Sequence, residues 1–161
     1  MVVLEVKSGL LKKAEIVRAG NSDLPLNKDG WSFNWRIAFK KANSEIYILR
    51  LKQDKDKIVQ GIIQLVFLNG MISMELIEIH PNNRGKYKQF DFVAGCLIAY
   101  GCRESFKLDN DYEGYLTFES KTVLIDIYRE KYGATQTFNN KMYISPKQGI
   151  KLISKYLKHK K

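Results

Sequence analysis

Histidine, cysteine and proline are scarce in this chain of 161 residues, which has two, two and three of them. Two histidines and two cysteines at their spacing cannot assemble a zinc site by themselves. The sequence has no GxxxxGK[ST] phosphate loop, no HExxH, no GxSxG, and no GxGxxG after a strand. His80 is the one reasonable base for a serine or cysteine nucleophile, since His159 lies in a terminal lysine cluster. These absences argue against zinc enzymes, P-loop enzymes and hydrolases with a nucleophile–histidine pair.

Acidic residues are also few, because 17 Asp and Glu stand against 27 Lys and Arg, a formal charge of +10. No apolar stretch approaches the ~20 residues that cross a bilayer. Cys96 and Cys102 share one apolar run, where a helix would point them to different sides, so no disulfide is expected and a reducing compartment fits. We therefore predict a cytoplasmic protein without membrane association, folded as a single domain over residues 1–161.

Hydrophobic alternation predicts strands in the first half of the chain. Residues 45–52, 58–68 and 71–80 alternate or run apolar and are rich in β-branched and aromatic side chains. Asn69-Gly70 separates the last two of these runs and is a strong signal for a two-residue hairpin turn. Together these patterns predict an antiparallel meander.

The second half is predicted to alternate helices with short strands. A long, mostly buried helix is expected over about residues 88–107, where apolar residues recur with the helical period. The other expected elements are a strand over 114–119, a helix over 121–132 from an N-cap at Ser120 to Gly133, a strand over 137–144, and a helix that begins at Ser145-Pro146 and buries Ile150, Ile153 and Leu157. Near the N-terminus, residues 2–17 fit one or two strands or a helix, and residues 31–41 fit an amphipathic helix.

The segment from Leu76 to Gln89 (LIEIHPNNRGKYKQ) carries the strongest chemical signal. A strand ends at a proline, and a polar loop with Arg84, Lys86 and Lys88 leads into the long helix. Unpaired N–H groups and the helix dipole favour an anion at such a helix start. Cations there oppose the dipole and gain nothing from the fold. A phosphate-bearing ligand is therefore a better explanation than a merely solvated basic turn.

This segment resembles the GNAT superfamily of acyl-CoA-dependent N-acetyltransferases. The family's V-x-P and R-x-x-G-x-G/A pattern looks like Ile79-His80-Pro81 followed by the loop from Arg84, and the later segments GYLTFES, TVLIDIYREKYGA and MYIS occur in the family's order. The resemblance implies an α/β fold with a mixed, mostly antiparallel central sheet flanked by helices. Tyr87 and Gln89 replace the loop's two small residues, which implies either a reshaped cofactor site or a GNAT-like fold with altered or lost acyl-CoA binding.

The resemblance also implies acetyl-CoA as the acyl donor. The residues that it implies for binding this cofactor are the strand positions Ile77 and Ile79 and the loop residues Arg84, Gly85, Lys86, Tyr87, Lys88 and Gln89.

Two catalytic roles follow from the same resemblance. Tyr128 is implied as the acid that protonates the departing thiolate, although it lies one residue farther from Gly133 than the family's Y-x-x-x-G spacing. The base is Glu75 or Glu78, which point to opposite faces of an ideal strand. Glu78 is preferred because it lies nearer the strand's end, and a carboxylate in a covered sheet is expected to have a raised pKa.

The predicted reaction is direct transfer of an acetyl group to a primary amine, small or macromolecular, within a ternary complex. From Lys131 to the end there are eight lysines and no acidic residue. This cluster could steer CoA or RNA, or be a solvated surface. The alternatives are a GNAT-fold module that binds RNA or another polyanion without activity, and a tRNA-directed acetyltransferase. The acceptor and the oligomeric state stay open.

Overall fold

Three antiparallel strands form the centre of the sheet, as the meander predicts. They are β3 (Ser44–Leu51), β4 (Val59–Leu68) and β5 (Met71–Ile79). Asn69 and Gly70 both have positive φ, which a type I′ turn requires, so the predicted hairpin is confirmed. The structure, a computed structural model, describes residues 1–158. His159, Lys160 and Lys161 of the predicted basic cluster lie outside the described residues.

Within residues 1–158, nine strands form one sheet in the order β6-β1-β2-β3-β4-β5-β7-β9-β8. The neighbours β5 and β7 run parallel, and every other neighbouring pair is antiparallel. The predicted mixed, mostly antiparallel sheet is therefore confirmed. The outer strands are β1 (Val2–Glu5), β2 (Leu10–Arg18), β6 (Phe90–Asp91), β7 (Leu116–Glu119), β8 (Thr135–Gln136) and β9 (Lys141–Ile144).

Helices cover both faces of this sheet. The α-helices are α1 (Trp35–Ala38), α2 (Val93–Ser105), α3 (Ile125–Tyr132) and α4 (Pro146–Tyr156), and four short 3₁₀ turns lie at Asn21–Asp23, Asn27–Asp29, Pro81–Asn83 and Thr122–Leu124. Residues of α2, α3 and α4 share one core, whereas Trp31 and Trp35 pack on the opposite face against Ile62. Among the described helices, none is both long and apolar enough to cross a bilayer.

Local signals set several helix ends as predicted. Ser145 caps α4, since its hydroxyl oxygen accepts a hydrogen bond from the Gln148 N–H at 3.3 Å, and Pro146 follows in the first turn. Gly133 ends α3 in the left-handed conformation. Cys96 and Cys102 are buried in α2 as free thiols, and burial raises the pKa of each to about 12. Their burial fits a role in the core rather than as nucleophiles.

The predicted start of the long helix is wrong. Residues Phe90–Asp91 pair with Leu4 and Glu5 of β1 and form β6, so α2 begins at Val93 rather than near Lys88. This pairing joins segments far apart in sequence, which a local period cannot report.

Three smaller expectations also fail. The helix predicted over 31–41 shrinks to α1, because the N–H groups of the preceding residues Ser32 and Phe33 bind a glutamate on β5 instead. Ser120 does not cap a helix, since its hydroxyl donates to the Lys121 carbonyl. Ile150 is exposed rather than buried, because α4 turns Leu152 and Tyr156 to the core.

Candidate active site

A cleft opens where β5 and β7 separate. The two strands pair from Ile72–Met74 to Leu116–Phe118, and β5 then continues to Ile79 while β7 ends at Glu119. The separation coincides with a bulge, because the register of β4 and β5 slips and leaves Glu75 unpaired between Met74 and Leu76. Bulges bend a strand and increase its twist. The resulting cleft has a volume of about 680 Å³.

The cleft is lined by residues of β5, α2, α3 and the end of β7, and by the loops before α1, after β5 and after β7. Ile77 and Ile79 follow one wall along β5, Ala94 and Ile98 of α2 contribute apolar surface, and Tyr128 of α3 lies on the other wall. Beyond Met74 the edge of β5 that faces the cleft has no β7 partner, so its backbone N–H and C=O groups, apart from the Ile79 carbonyl, which accepts from Arg84, are available to a ligand. The structure thus brings together the predicted residues Ile77, Ile79, Glu78 and Tyr128.

Glu78 is the most heavily bonded side chain at the cleft, and only 4% of it is exposed. One carboxylate oxygen accepts hydrogen bonds from the Ser32 N–H at 2.6 Å and from the Arg84 guanidinium at 2.5 Å. The other oxygen accepts from the Phe33 N–H at 3.1 Å and from the Trp35 indole at 2.9 Å. This carboxylate therefore fixes the segment before α1 and the loop after β5 to the same strand.

The expectation of a raised pKa at Glu78 is wrong. Burial alone would raise the pKa of this carboxyl, but the hydrogen bonds from Ser32, Phe33, Trp35 and Arg84 outweigh burial and lower the pKa below its ordinary value. Glu78 therefore stays ionised at neutral pH. Glu75 also lines the cleft, with a half-exposed carboxylate that lies 2.6 Å from the Lys41 ammonium.

The basic loop does not gather at the helix start as predicted. Arg84 turns back onto β5, where its guanidinium donates to the Ile79 carbonyl at 2.9 and 3.1 Å as well as to Glu78. Gly85, Lys86 and Tyr87 are exposed, and the Tyr87 ring extends into solvent with 88% of its surface accessible. Of the loop residues predicted to bind the cofactor, Arg84 alone lines the cleft.

The remaining two loop residues have partners of their own. The Lys88 ammonium lies 3.2 Å from the Asp91 carboxylate. The Gln89 N–H donates to the Asn82 carbonyl, and the Gln89 carbonyl accepts from the Val6 N–H. The loop is thus closed at its base, some residues before α2 begins.

The position at which α2 begins is the feature that the sequence motif did not locate. Phe92 precedes α2 in the left-handed conformation, with φ of 75°. Residues other than glycine rarely adopt a positive φ. Phe92, Ala94 and Gly95 line a recess of about 90 Å³ together with Lys88 and Lys131. Ala94 lines the recess and the cleft, so the two are neighbours. The adjacent small residues Ala94-Gly95 at the onset of the apolar period are the signal that could have located it.

Tyr128 is held in the cleft wall by aromatic packing and by the end of α3. Its ring lies 4.7 Å from the Phe118 ring, and its carbonyl accepts the Ala134 N–H that closes the helix beyond Gly133. Burial raises the pKa of the Tyr128 hydroxyl, which therefore carries its proton at neutral pH. Such a hydroxyl can act as a proton donor inside the cleft.

Comparison with solved structures identifies the fold. Spermidine N-acetyltransferase SpeG from Vibrio cholerae, in complex with CoA and spermine, has a TM-score of 0.55 at 16% identity, covering 86% of this chain and 98% of that chain. YhhK from E. coli, bound to coenzyme A, has a TM-score of 0.55 at 11% identity, covering 81% and 97%. A structure from Exiguobacterium sp. 255-15, described as an acetyltransferase, has a TM-score of 0.58 at 11% identity, covering 86% and 97%. No protein-family model and no curated sequence match the chain.

These similarities, with the cleft between β5 and β7, define the class: the chain has the GNAT fold. At identities of 11–16% the likeness establishes the fold, while activity has to be argued from the site.

Proposed function

We propose that this chain is an acetyl-CoA-dependent N-acetyltransferase that acts on a primary amine, with residues 1–161 as one acyltransferase domain. The observation that carries the proposal is the cleft at the bulge of β5, where an unpaired strand edge, the start of α2 and the Tyr128 hydroxyl meet. Solved structures of the same fold that contain CoA, SpeG and YhhK, support this choice of cofactor.

The residues present fit such a cofactor in two places. The open edge of β5 around Ile77 and the Ile79 N–H would pair with the amides of an extended pantetheine arm, while the Ile79 carbonyl is held by the Arg84 guanidinium. The first turn of α2, with the Lys131 ammonium and the Lys88–Asp91 ion pair beside it, would hold the diphosphate. This assignment keeps the predicted anion site at a helix start but moves it from residues 84–89 to the observed start of α2 at Val93. Bound there, acetyl-CoA supplies the acetyl group as a thioester.

Two side chains of the cleft are suited to move protons. The amine would attack the thioester directly, so no covalent enzyme intermediate would form, and Tyr128 would donate its hydroxyl proton to the thiolate as it leaves. The amine must lose a proton before it attacks, and Glu75 would accept this proton. Its carboxylate is half-exposed at the cleft and has one cationic partner, Lys41. The role of Glu78 as base stays a prediction. Its four donors favour a positioning role, in which it holds Ser32 and Phe33 at the acceptor side of the cleft.

The acceptor is proposed by chemistry alone. An amine whose ammonium form is drawn to Glu75 would enter beside Ser32 and Phe33. The SpeG complex contains spermine, so spermidine and spermine are the first amines to try. RNA binding by the C-terminal lysines and a tRNA acceptor remain predictions from sequence.

Calorimetric titration with acetyl-CoA, followed by an assay of CoA release with spermidine, spermine and simple primary amines, tests the proposal. Acetyl-CoA at about 100 times its Kd should stabilise the fold by about 2.7 kcal/mol in thermal unfolding. Ala94→Trp should abolish binding because Ala94 lines both the cleft and the recess. Val123→Trp, at a residue 81% exposed, is the matched control and should leave binding intact. Absence of acetyl-CoA binding by the unaltered chain would refute the proposal.

A further inference from the structure

A second concave surface lies along α4; it shares no lining residue with the β5–β7 cleft but borders the recess at the start of α2, with which it shares Phe92 and Tyr156. It has a volume of about 690 Å³ and is formed by α4, the beginning of β1 and β2, and the residue before α2. We call it the lysine groove and define it by the apolar residues Val2, Leu11, Phe92, Ile150 and Tyr156 together with Ser154, Lys151, Lys155 and Lys158.

The floor of the lysine groove leaves large apolar side chains in contact with water. Ile150 is 58% exposed, Leu11 is 49% exposed and Phe92 is 37% exposed. The sequence pattern places Ile150 in the core, but α4 directs it into the groove instead. Water-exposed apolar side chains that lie together in a depression, rather than singly, are typical of a binding surface.

The wall of the groove carries charge of one sign. Lys151, Lys155 and Lys158 follow one another at spacings of four and three residues, so they lie on one side of α4 and its last turn. Among residues 1–158, those that line the groove include no carboxylate. The Lys155 ammonium lies 5.1 Å from the centre of the Tyr156 ring, which keeps this charge beside the apolar floor.

We propose that the lysine groove binds an acidic amphipathic helical segment of a partner protein. Such a segment places leucine-like side chains on Ile150, Leu11 and Phe92 while its carboxylates meet the lysines on the wall, so both features are used at once. RNA would use the lysines and would find one exposed ring, Phe92, on which to stack a base, but it would gain little from Ile150 and Leu11, which are the most exposed side chains of the floor. A bilayer is flat and would not follow a depression bounded by helix and hairpin.

The probe is a fluorescein-labelled synthetic helix in which leucine recurs at three- and four-residue spacing and glutamate fills the opposite face. Fluorescence anisotropy should show saturable binding that weakens as salt rises. A peptide of the same composition in scrambled order is the control and should bind at least about tenfold more weakly, because its leucines do not form one face.

Two sets of variants separate the floor from the wall. Ile150→Glu should weaken peptide binding at least about tenfold, whereas Phe138→Glu, at a residue 71% exposed outside the groove, should not. Replacing Lys151, Lys155 and Lys158 by Gln should weaken binding and flatten its salt dependence, unlike the same change at the exposed Lys28, Lys40 and Lys55. Thermal unfolding of each variant confirms that the fold is intact.

Four further outcomes would overturn the proposal. If the amphipathic peptide does not bind more tightly than the scrambled peptide, the groove does not recognise an amphipathic helix. Tighter binding of a single-stranded RNA, lost with the lysine variant but kept with Ile150→Glu, assigns the groove to nucleic acid. Cosedimentation with phosphatidylglycerol vesicles, or concentration-dependent self-association abolished by Ile150→Glu, assigns it to a membrane or to a second copy of this chain.

Discussion

At the scale of single residues, Glu78 couples the fold to pH. Glu78→Gln should lower the free energy of unfolding by about 2 kcal/mol at neutral pH. The carboxylate accepts four hydrogen bonds with two oxygens, and the single oxygen of an amide cannot accept all four. The pKa of Glu78 is lower in the folded chain than its ordinary value of 4.5. The unfolded chain therefore takes up this proton first as pH falls.

The stabilisation by ionised Glu78 is thus complete above pH 4.5 and is lost as pH falls through the folded pKa. We expect the difference in unfolding free energy between the wild type and Glu78→Gln, measured in urea, to shrink on acidification through this range. Glu75→Gln is the control, since its half-exposed pair with Lys41 should contribute less than about 1 kcal/mol. A Glu78→Gln difference that does not change with pH would contradict this linkage.

Tyr128 is the residue on which the proposed proton donation depends. Tyr128→Phe keeps the ring that packs on Phe118 and removes the hydroxyl, so kcat should fall by about 100-fold while binding of acetyl-CoA stays within about twofold. Tyr143→Phe, whose ring contacts Tyr115 and does not line the cleft, should have normal kinetics. If both variants behave alike in steady-state assays, Tyr128 has only a packing role.

At the scale of elements, the contact of α2 with α4 depends on the absence of one side chain. A Cβ at Gly95 would lie 2.3 Å from the Tyr156 ring, closer than any packing allows. Gly95→Ala should therefore lower the free energy of unfolding by about 2 kcal/mol, despite the better helix propensity of alanine.

A double-mutant cycle with Tyr156→Leu tests this cause. If the clash is with the ring, Gly95→Ala should cost much less in the Tyr156→Leu background, and the two changes should show a coupling energy above about 1 kcal/mol. If the two changes have additive effects on the free energy of unfolding in urea, the destabilisation by Gly95→Ala has another cause, such as a change in the backbone of α2.

The elements that sequence could predict are those set by neighbours in the chain. The β4–β5 hairpin follows from Asn69-Gly70 and the start of α4 from Ser145-Pro146. The bulge at Glu75 does not interrupt the apolar pattern of β5, so no local signal marks it, and the start of α2 depends on pairing of Phe90–Asp91 with β1.

The same distinction explains the site. Ile77, Glu78 and Tyr128 reach the cleft because strand and helix positions carry them there. Of the loop residues predicted to bind phosphate, only Arg84 lines the cleft, where its guanidinium binds the Ile79 carbonyl and Glu78, and the exposed residues 85–87 after it do not reach the cleft. A motif specifies residue types in sequence order, whereas the hydrogen-bond partner of a side chain depends on contacts between segments that are distant in sequence.

At the scale of the whole molecule, one sheet belongs to two cores. Tyr47 and Leu49 of β3 face the core under α2, while Ile46 and Ile48 of the same strand face the core that contains both tryptophans of the chain. Unfolding of the shared strands on account of one core would also expose the apolar side chains of the other core. The helices on one face and the segment before β3 on the other should therefore unfold together.

The placement of Trp31 and Trp35, 4% and 0% exposed, makes this cooperativity measurable. Their fluorescence reports the core on the α1 face, whereas circular dichroism in the far ultraviolet is dominated by α2, α3 and α4 on the other face. Urea transitions followed by the two signals should coincide, because the shared strands transmit the loss of either core. A fluorescence midpoint clearly below the dichroism midpoint would show that the α1 face opens first, and Glu78→Gln, which cuts the tie between β5 and Trp35, should then widen the gap.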